Sequence, residues 1–480
     1  MVALAAIVLA AGQGTRMRSR LPKVLHPLAG QPMLTHILDA LHRAGIEHRV
    51  VVTGHAAEGV EAALAGRGVS VRQDPQLGTA DAVRVGLGRV PGSVRHVVVT
   101  VGDAPLLPAE LFQRLVAEQA EGDSVMTLLS ARVPDPAGYG RIVRGADGSV
   151  RAIVEDRHAD ADQRRLDEVN VGTYCFDAAW LRANLGMVAA SPAGEYYLTD
   201  LVGLAASGGR RVAVVDAPRP ELTAGINDRV QLAAAERLLR AEIAERHMRA
   251  GVTIVDPETT HIDAAVEIGQ DARIEPWTVL RGATVIGQDA VIGPHAELRD
   301  SRVGPRSTVW ASILEEASVA EDCEIGPYSH LRPGAEIGAR CRIGNFAEVK
   351  QSRIGAGTQQ HHFSYLGDAE VGEEVNIGAG TVTANFDGTD KHRTIIGDGA
   401  FIGSDTMLRA PVTIGPGART GAGAVVTRDV PAGKTVVGMP ARAIGAPRDA
   451  TTGAGRPAKA GKSLAAGEPL PVAERGDSDA

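Results

Sequence analysis

An aliphatic residue returns at every sixth position from about Val266 to about Val430, often with Gly directly after it. The run reads Ile268-Gly269, Ile274, Leu280, Ile286-Gly287, Ile292-Gly293 and Leu298. It slips by one residue at Val303-Gly304 and Val309, then runs through Val319, Ile325-Gly326, Leu331, Ile337-Gly338, Ile343-Gly344 and Val349. After another slip come Ile354-Gly355, Val371-Gly372 and Ile377-Gly378, and last Ile396-Gly397, Ile402-Gly403, Leu408, Ile414-Gly415, Thr420-Gly421 and Val426. A period of six fits neither an amphipathic helix nor an alternating strand. It predicts a parallel β-helix of hexapeptide repeats. Three hexapeptides, about 18 residues, close one triangular coil, and the inward aliphatics of stacked coils form a buried ladder. The Gly after each aliphatic is expected to supply the backbone conformation of a tight corner. An all-β sandwich would instead show strands about 8–12 residues apart with alternating polarity. Two stretches depart from the period, Gln359–Asp368 and about Thr381 to Thr394. Both are read as surface loops, which in solenoids tend to lie on the binding face.

From Met1 to about Asp228, strand and helix signals alternate. Val2–Leu9 is a continuous apolar run, as a buried parallel strand requires. Arg49–Val52 and Val97–Val101 read as further inner strands, and Met33–Ala44, Thr79–Leu87 and Pro108–Glu118 as helices. The expectation is a doubly wound α/β domain, whose ligands bind beyond the carboxyl ends of the strands. Val230 to about Ala250 is charged and Ala/Leu-rich, a joining helix that Gly251 ends, with Asp256-Pro257 opening the solenoid. The boundaries expected are 1–228, 229–250 and 251–445. A tail of 446–480 without apolar period is expected to be disordered.

Chemistry concentrates where these elements end. Directly after the first strand stands Leu9-Ala10-Ala11-Gly12-Gln13-Gly14-Thr15-Arg16, continuing to Leu21-Pro22-Lys23. Its glycines let backbone N–H groups approach a phosphate, and Arg16 and Lys23 add cationic charge. Val97–Val101 delivers Gly102-Asp103-Ala104-Pro105 at a strand end, where a carboxylate suits Mg²⁺, a hard cation. Gln73 and Gln76-Leu77-Gly78-Thr79 form a loop before a helix. Further on stand Gly138-Tyr139-Gly140-Arg141, Ile153-Val154-Glu155, Glu168-Val169-Asn170 and Gly225-Ile226-Asn227-Asp228. In the solenoid, His361-His362, Tyr365, Asn376, Asn385-Phe386 and Lys391 fall in or beside the two departures, with Arg332-Pro333, Asn345-Phe346 and Lys350 upstream and Ser404-Asp405 downstream.

The repeat resembles the left-handed β-helix of hexapeptide acyltransferases, and the string from Leu9 to Lys23 resembles the signature of sugar-nucleotide pyrophosphorylases. Over about residues 3–430, the motifs in their order resemble the bifunctional GlmU family, N-acetylglucosamine-1-phosphate uridylyltransferase/glucosamine-1-phosphate acetyltransferases. The resemblance implies an α/β nucleotidyltransferase domain, a helical linker and a left-handed β-helix acetyltransferase. It implies that Leu9, Ala10, Ala11, Gly12, Lys23, Gln73, Gly78 and Thr79 hold UTP, and that Gly140, Glu155 and Asn170 surround the amino sugar. Asp103 and Asn227 are the implied Mg²⁺ ligands, with Arg16 and Lys23 catalytic. For glucosamine 1-phosphate the implied set is Arg332, Lys350, Tyr365, Asn376 and Lys391. For acetyl-CoA, the co-substrate, it is Ala379, Asn385, Phe386, Ser404 and Ala422. His362 is the implied base, three residues before Tyr365 as in the family's His-x-x-Tyr spacing. An imidazole with a pKa of about 6.5 suits that task at neutral pH. The chain departs from the pattern at Asp81, where the family often has His, and at Phe386, where it often has Tyr.

Composition narrows the partners. The 480 residues carry a formal charge of −8, 44% hydrophobic and 3% aromatic residues. That balance shows no nucleic-acid footprint, and small anions must be held by local basic groups. Cys175, Cys323 and Cys341 stand far apart, without metal spacing, and read as buried reduced thiols. With no apolar run of about 18 residues and no basic leader, neither membrane span nor signal peptide is read, and a cytoplasmic location is expected. A homotrimer is expected, with the acetyl site between neighbouring solenoids. Two rivals stay open: a single-activity pyrophosphorylase with a scaffolding solenoid, and a nucleotide-sugar sensor with degraded sites. The basic set around His362 speaks against the first, and intact Lys23, Asp103 and Asn227 against the second.

Overall fold

The computed structural model describes residues 4–444 apart from 55 and 193. The tail expectation for 446–480 therefore lies outside the described residues. In the first half, the strand Leu4–Ala10 sits between His96–Val101 and His48–Thr53, parallel to both. Its burial is nearly continuous because both sheet faces are covered, each by its own apolar cluster. The helix Met33–Arg43 buries Met33, Leu34, Ile37, Leu38 and Leu41, the three-and-four spacing of one face. Thr79–Leu87 is a helix at the bounds expected, and Ala109–Glu121 runs slightly longer than expected.

The doubly wound expectation needs one refinement: the nine-stranded sheet is mixed. Glu168–Asp177 runs antiparallel to both His96–Val101 and Met126–Arg132. The hairpin Arg141–Arg144/Val150–Val154 branches from it. The parallel centre nonetheless brings the ends of Leu4–Ala10 and His96–Val101 together, and Gly102 N–H donates to Leu9 O at 2.9 Å.

Asp228 caps the helix Arg229–Arg249 by accepting from the N–H groups of Val230 and Gln231. The helix grips both halves. Ala235, with Leu232, Leu238 and Leu239, packs on Leu28, Met33 and Leu106, while Ile243 and Ala244 join the solenoid core. Gly251 ends it at a φ of 93°. The solenoid begins earlier than Asp256-Pro257, at Thr253–Ile254, which already pairs with Arg273–Ile274.

Three sheets of 12, 10 and 9 strands form the solenoid, parallel throughout except for the last pair, Thr435–Val437 with Arg442–Ile444, which is antiparallel. The slips in the repeat pattern are short coils. The coil from Arg273 to its partner Val291 has the full length, that from Val291 to Thr308 is one position shorter, and that from Thr308 to Glu324 is shorter again. The expected reason for the repeat glycines is corrected. Apart from Gly293 and Gly326, those named above have no left-handed φ. A Cβ at Gly269 would stand 2.6 Å from Gln288 N, and one at Gly287 would stand 2.5 Å from Pro305 N. These glycines are required by the backbone of the next coil. The left-handed conformation falls instead on residues with side chains, such as Asp271, Asp289, Arg306, Asp322 and Arg340, stacked at one corner.

The two departures differ in kind. Gln359–Asp368 is not an insertion. Gln360 pairs with Ile343 in the coil before and Ile377 in the coil after, and is fully buried in the aliphatic ladder. Its Nε2 donates to Ser364 Oγ at 2.8 Å, while its Oε1 has no partner. The second departure is a true loop, carried by the coil between Ile377 and its partner Ile402, which is much longer than its neighbours. Asp387 folds this loop on itself by accepting from Thr389 and Asp390 N–H and His392 Nε2. Those donors, the Asp390 N–H foremost, hold its carboxyl well below the usual range.

Candidate functional site

The chain carries two separate clusters of chemical groups. The first opens at the carboxyl ends of the central parallel strands. A cavity of about 260 Å³ is lined by Leu9, Ala10, Gly12, Arg16, Lys23, Asp103 and Asn227, with Gly14 and Thr15. Gly14 takes a φ of 61°, and a Cβ there would stand 2.6 Å from Lys23 Cβ, so the loop needs Gly to close over Lys23. Lys23 Nζ pairs with Asp103 and donates to Asn227 Oδ1 at 2.8 Å, and Arg16 reaches the same Oδ1 at 2.8 Å. Asn227 Nδ2 donates to Gly225 O at 3.3 Å, which leaves Oδ1 facing the cations. Ile226 N–H donates to Asp103 O, tying together the segments that carry Asp103 and Asn227. Among the described residues no group of three or more His, Cys, Asp or Glu gathers. Two hard oxygens aimed at one ammonium fit a small divalent cation that takes its remaining ligands from phosphate and water.

An adjoining cavity of about 390 Å³ shares Leu9, Gly12 and Asp103 and adds Ala11, Gln73, Gly78 and Thr79. Gly78 has a φ of 102°, and a Cβ there would stand 2.6 Å from Tyr196 O. Thr79 Oγ1 accepts from Leu198 N–H. The sequence reading missed this wall: Glu195 and Tyr197 line the cavity, joined by a 2.5 Å bond from Tyr197 Oη to Glu195. The adjacent pair Tyr196-Tyr197, in a chain with six tyrosines, was the signal available. Gly140, Glu155 and Asn170 do meet. Asn170 N–H donates to Gly140 O, and a Cβ at Gly140 would lie 3.7 Å from Asn170 Cβ and 3.8 Å from Glu155 Oε2. Thr199 donates to Glu155, so the segment that walls the cavity also positions this trio. Asn170 Nδ2 donates to the Tyr174 hydroxyl, which burial pushes well above its ordinary pKa.

The second cluster is on the solenoid. His361 takes the place that Gly344 and Gly378 hold in the neighbouring coils. His362 therefore stacks beneath Ala379, Ser404 and Ala422, one residue per coil. Main-chain bonds hold the column: Gly380 N–H to Phe363 O, Asp405 N–H to Ala379 O and Gly423 N–H to Ser404 O. His361 Nε2 is engaged by Gln359 Oε1 at 3.0 Å, while His362 is exposed.

Around the corner from His362, Arg332, Lys350 and Gly367 follow one another on successive coils of the next sheet, beside Glu348 and Tyr365. Glu348 accepts from Arg332 at 2.7 Å. The Lys350 ammonium lies below its ordinary pKa because Lys391, and then Arg332, stand close by. A Cβ at Gly367 would overlap the Tyr365 hydroxyl, so this glycine makes the space in which the phenol lies. Asn385 donates to Asp368, whose N–H donates to Lys350 O. Phe386 is exposed on the loop and bridges to Lys391 through the main chain. Asn376 is not brought to this cluster: it lies on the sheet before the corner, between Gln359 and Phe401. Trp277, Tyr328, Phe346 and Phe363 line the same corner as His362, each 59–63% exposed. Tyr328 stacks on Phe346 at 5.3 Å, and Trp277 on His295 at 6.4 Å.

A MobA-like NTP transferase domain model matches residues 6–169, and the bacterial transferase hexapeptide model matches 265–300, 316–351 and 393–428. A bifunctional protein GlmU of Trichlorobacter lovleyi is 47% identical over 431 residues, covering 89% of this chain and 94% of that protein. Those of Heliobacterium modesticaldum and Streptomyces avermitilis are each 46% identical, over 90% of this chain and 94% and 91% of their own lengths. On that identity, over nearly the whole described length and spanning both clusters, the chain belongs to the bifunctional GlmU family.

Proposed function

We propose that the chain makes UDP-N-acetylglucosamine in two steps at the two clusters. The solenoid transfers an acetyl group from acetyl-CoA to glucosamine 1-phosphate. The α/β domain then transfers a uridylyl group from UTP to the resulting N-acetylglucosamine 1-phosphate, releasing pyrophosphate. The reading is carried by one observation: a phosphate-type cation cluster and a small-residue column with His362 at its foot occupy separate folded bodies of one chain. The division follows residues 1–228, 229–250 and 251–445.

In the acetyl step, His362 takes the proton from the sugar amine as the amine attacks the thioester carbonyl, and the C–S bond then breaks to release coenzyme A as its thiol. Arg332, Lys350, Lys391 and Tyr365 hold the phosphate; crowded cations that depress the Lys350 pKa are relieved by a dianion. Ala379, Ser404 and Ala422 leave a small-residue track above His362 for the acetyl-bearing arm of acetyl-CoA. Asn385 and Phe386 border it from the loop. In the uridylyl step, the sugar phosphate attacks the α-phosphorus directly, so no protein nucleophile is required. Asp103 and Asn227 would hold Mg²⁺, which when bound supplies positive charge at the phosphates. Lys23 and Arg16 turn from these oxygens to the triphosphate and stabilise charge developing on the leaving group. Gln73, Gly78 and Thr79 take the base and ribose, and Gly140, Glu155 and Asn170 the amino sugar.

A homotrimer is part of the proposal. Its supports are the exposed aromatic corner ending at His362 and the placement of Asn376 on a different sheet from Tyr365. A second copy would cover the first and bring the second to the site. Among the described residues no helix is long and apolar enough to cross a membrane, and the reactions call for cytoplasmic substrates.

The test is incubation with glucosamine 1-phosphate, acetyl-CoA, UTP and Mg²⁺, following thiol, N-acetylglucosamine 1-phosphate and UDP-sugar over time. Transient N-acetylglucosamine 1-phosphate is expected before UDP-sugar; absence of thiol release removes the acetyl half. Sedimentation of the same sample checks the trimer, and a monomer mass rejects it. A finer prediction concerns Gly367. Gly367→Ala is expected to raise the KM for glucosamine 1-phosphate by about tenfold or more, by displacing the Tyr365 hydroxyl, and to leave UTP turnover unchanged. Steady-state kinetics of both reactions check this, and an unaltered KM would show that Tyr365 does not hold the sugar phosphate.

A further inference from the structure

Asp81 stands where the family often has His, and its surroundings give it a task. It lies in the first turn of the helix Thr79–Leu87 and is nearly buried. One of its oxygens, Oδ2, accepts from Gln73 Nε2 at 2.8 Å. The other, Oδ1, accepts from Arg84 Nε at 3.1 Å, and Arg84 bonds it a second time through its terminal nitrogen. Gln73 Nε2 also donates to Gly78 O at 3.0 Å. A primary amide has two N–H donors, and both are now spent. Both partners accept only: one is a carboxylate and the other a main-chain carbonyl. The orientation of the Gln73 amide is thus chemically forced. A flipped amide would set its oxygen against two acceptors in a buried place.

The strand end that precedes the amide is fixed too, since Gln73 N–H donates to Thr53 O at 2.8 Å. Gln73 lines the 390 Å³ cavity with Ala11, Gly78 and Thr79. With Nε2 turned away to Asp81 and Gly78, Oε1 is the amide atom left to meet a ligand there. We propose that Asp81 is a specificity-positioning residue: it locks Gln73 so that the cavity offers a hydrogen-bond acceptor to the nucleotide base. The inference rests on the reading that the base occupies this cavity. A fixed acceptor favours a pyrimidine with a ring N–H, such as uracil, whose N3–H donates. Facing the N3 position, it disfavours cytosine, whose N3 is itself an acceptor and whose donor is the amine at C4. Histidine at this position, with one donor and one acceptor nitrogen when neutral, would leave Gly78 O as the one acceptor-only partner holding the amide, and so a weaker lock.

The experiment compares kcat/KM for UTP and CTP, with N-acetylglucosamine 1-phosphate as acceptor, in the wild type, Asp81→Asn and Asp81→His. The wild type is expected to prefer UTP by at least about 100-fold. Either substitution is expected to lower that ratio by at least about tenfold, through a fall in the KM for CTP with kcat little changed. A merely structural role would depress both nucleotides together. Parallel losses with an unchanged ratio in both variants overturn the role of Asp81 while leaving UTP as substrate. A wild type that uses CTP within about tenfold of UTP overturns it without any variant. A wild type inactive with UTP overturns the underlying function as well.

Discussion

His362→Ala is expected to lower acetyl transfer by about 10²–10⁴, the range typical of a lost general base, while uridylyl transfer from supplied N-acetylglucosamine 1-phosphate stays at the wild-type rate. The structure sharpens the choice between the two adjacent histidines. His361 occupies a position that is Gly in the coils on either side, and its ring is tied to Gln359 Oε1. His362 is exposed at the foot of the column that rises through Ala379, Ser404 and Ala422. His361→Ala is accordingly expected to be mild, costing less than about tenfold. The reverse order of severity would assign the base to His361. Neither ring enters the aliphatic ladder, so thermal unfolding of both variants should stay near wild type. A large loss of stability in His362→Ala would mean that its kinetic effect is structural.

Asp103→Ala is expected to collapse uridylyl transfer by at least about 10²–10³, as loss of a group stabilising transition-state charge does, with acetyl transfer preserved. Two effects add at this carboxylate. Among the described residues it and Asn227 Oδ1 are the side-chain oxygens that converge on the Lys23 ammonium, and without it Asn227 would remain to hold a divalent cation. The variant also frees Lys23 from its ion pair, which changes where that charge stands when the triphosphate arrives. Raising the Mg²⁺ concentration separates the two: recovery of rate marks weakened metal binding, and persistent loss marks misplacement of Lys23. If Asp103→Ala abolishes both reactions in a folded protein, the two clusters are not independent. The helix Arg229–Arg249, packed on both halves, and the direct contact of Ala29 O with Ala264 N–H are where such coupling would run.

The architecture was legible in the chain because a solenoid imposes one burial requirement again and again. Ile274, Ile292, Val309, Ile325 and Ile343 are inward residues of successive coils, and each must be aliphatic for the same reason. The phosphate-binding string was equally legible, because Gly14, Arg16 and Lys23 are close in sequence and serve one loop. Other features depended on distances along the chain that no local pattern encodes. Gln360 looked like an interruption, yet a coil one position short places it in the ladder between Ile343 and Ile377, where Ser364 Oγ accepts from its amide. The repeat glycines were visible, but their cause was the backbone of the next coil, a full turn of the solenoid away. The stacking of His362 under Ala379 depends on coil length, and the wall of Glu195 and Tyr197 against Gly78 depends on a segment remote from it in the chain. Asp81 read only as a departure from a pattern. Its meaning came from the amide of Gln73, on the far side of the loop, whose two donors the fold had already committed.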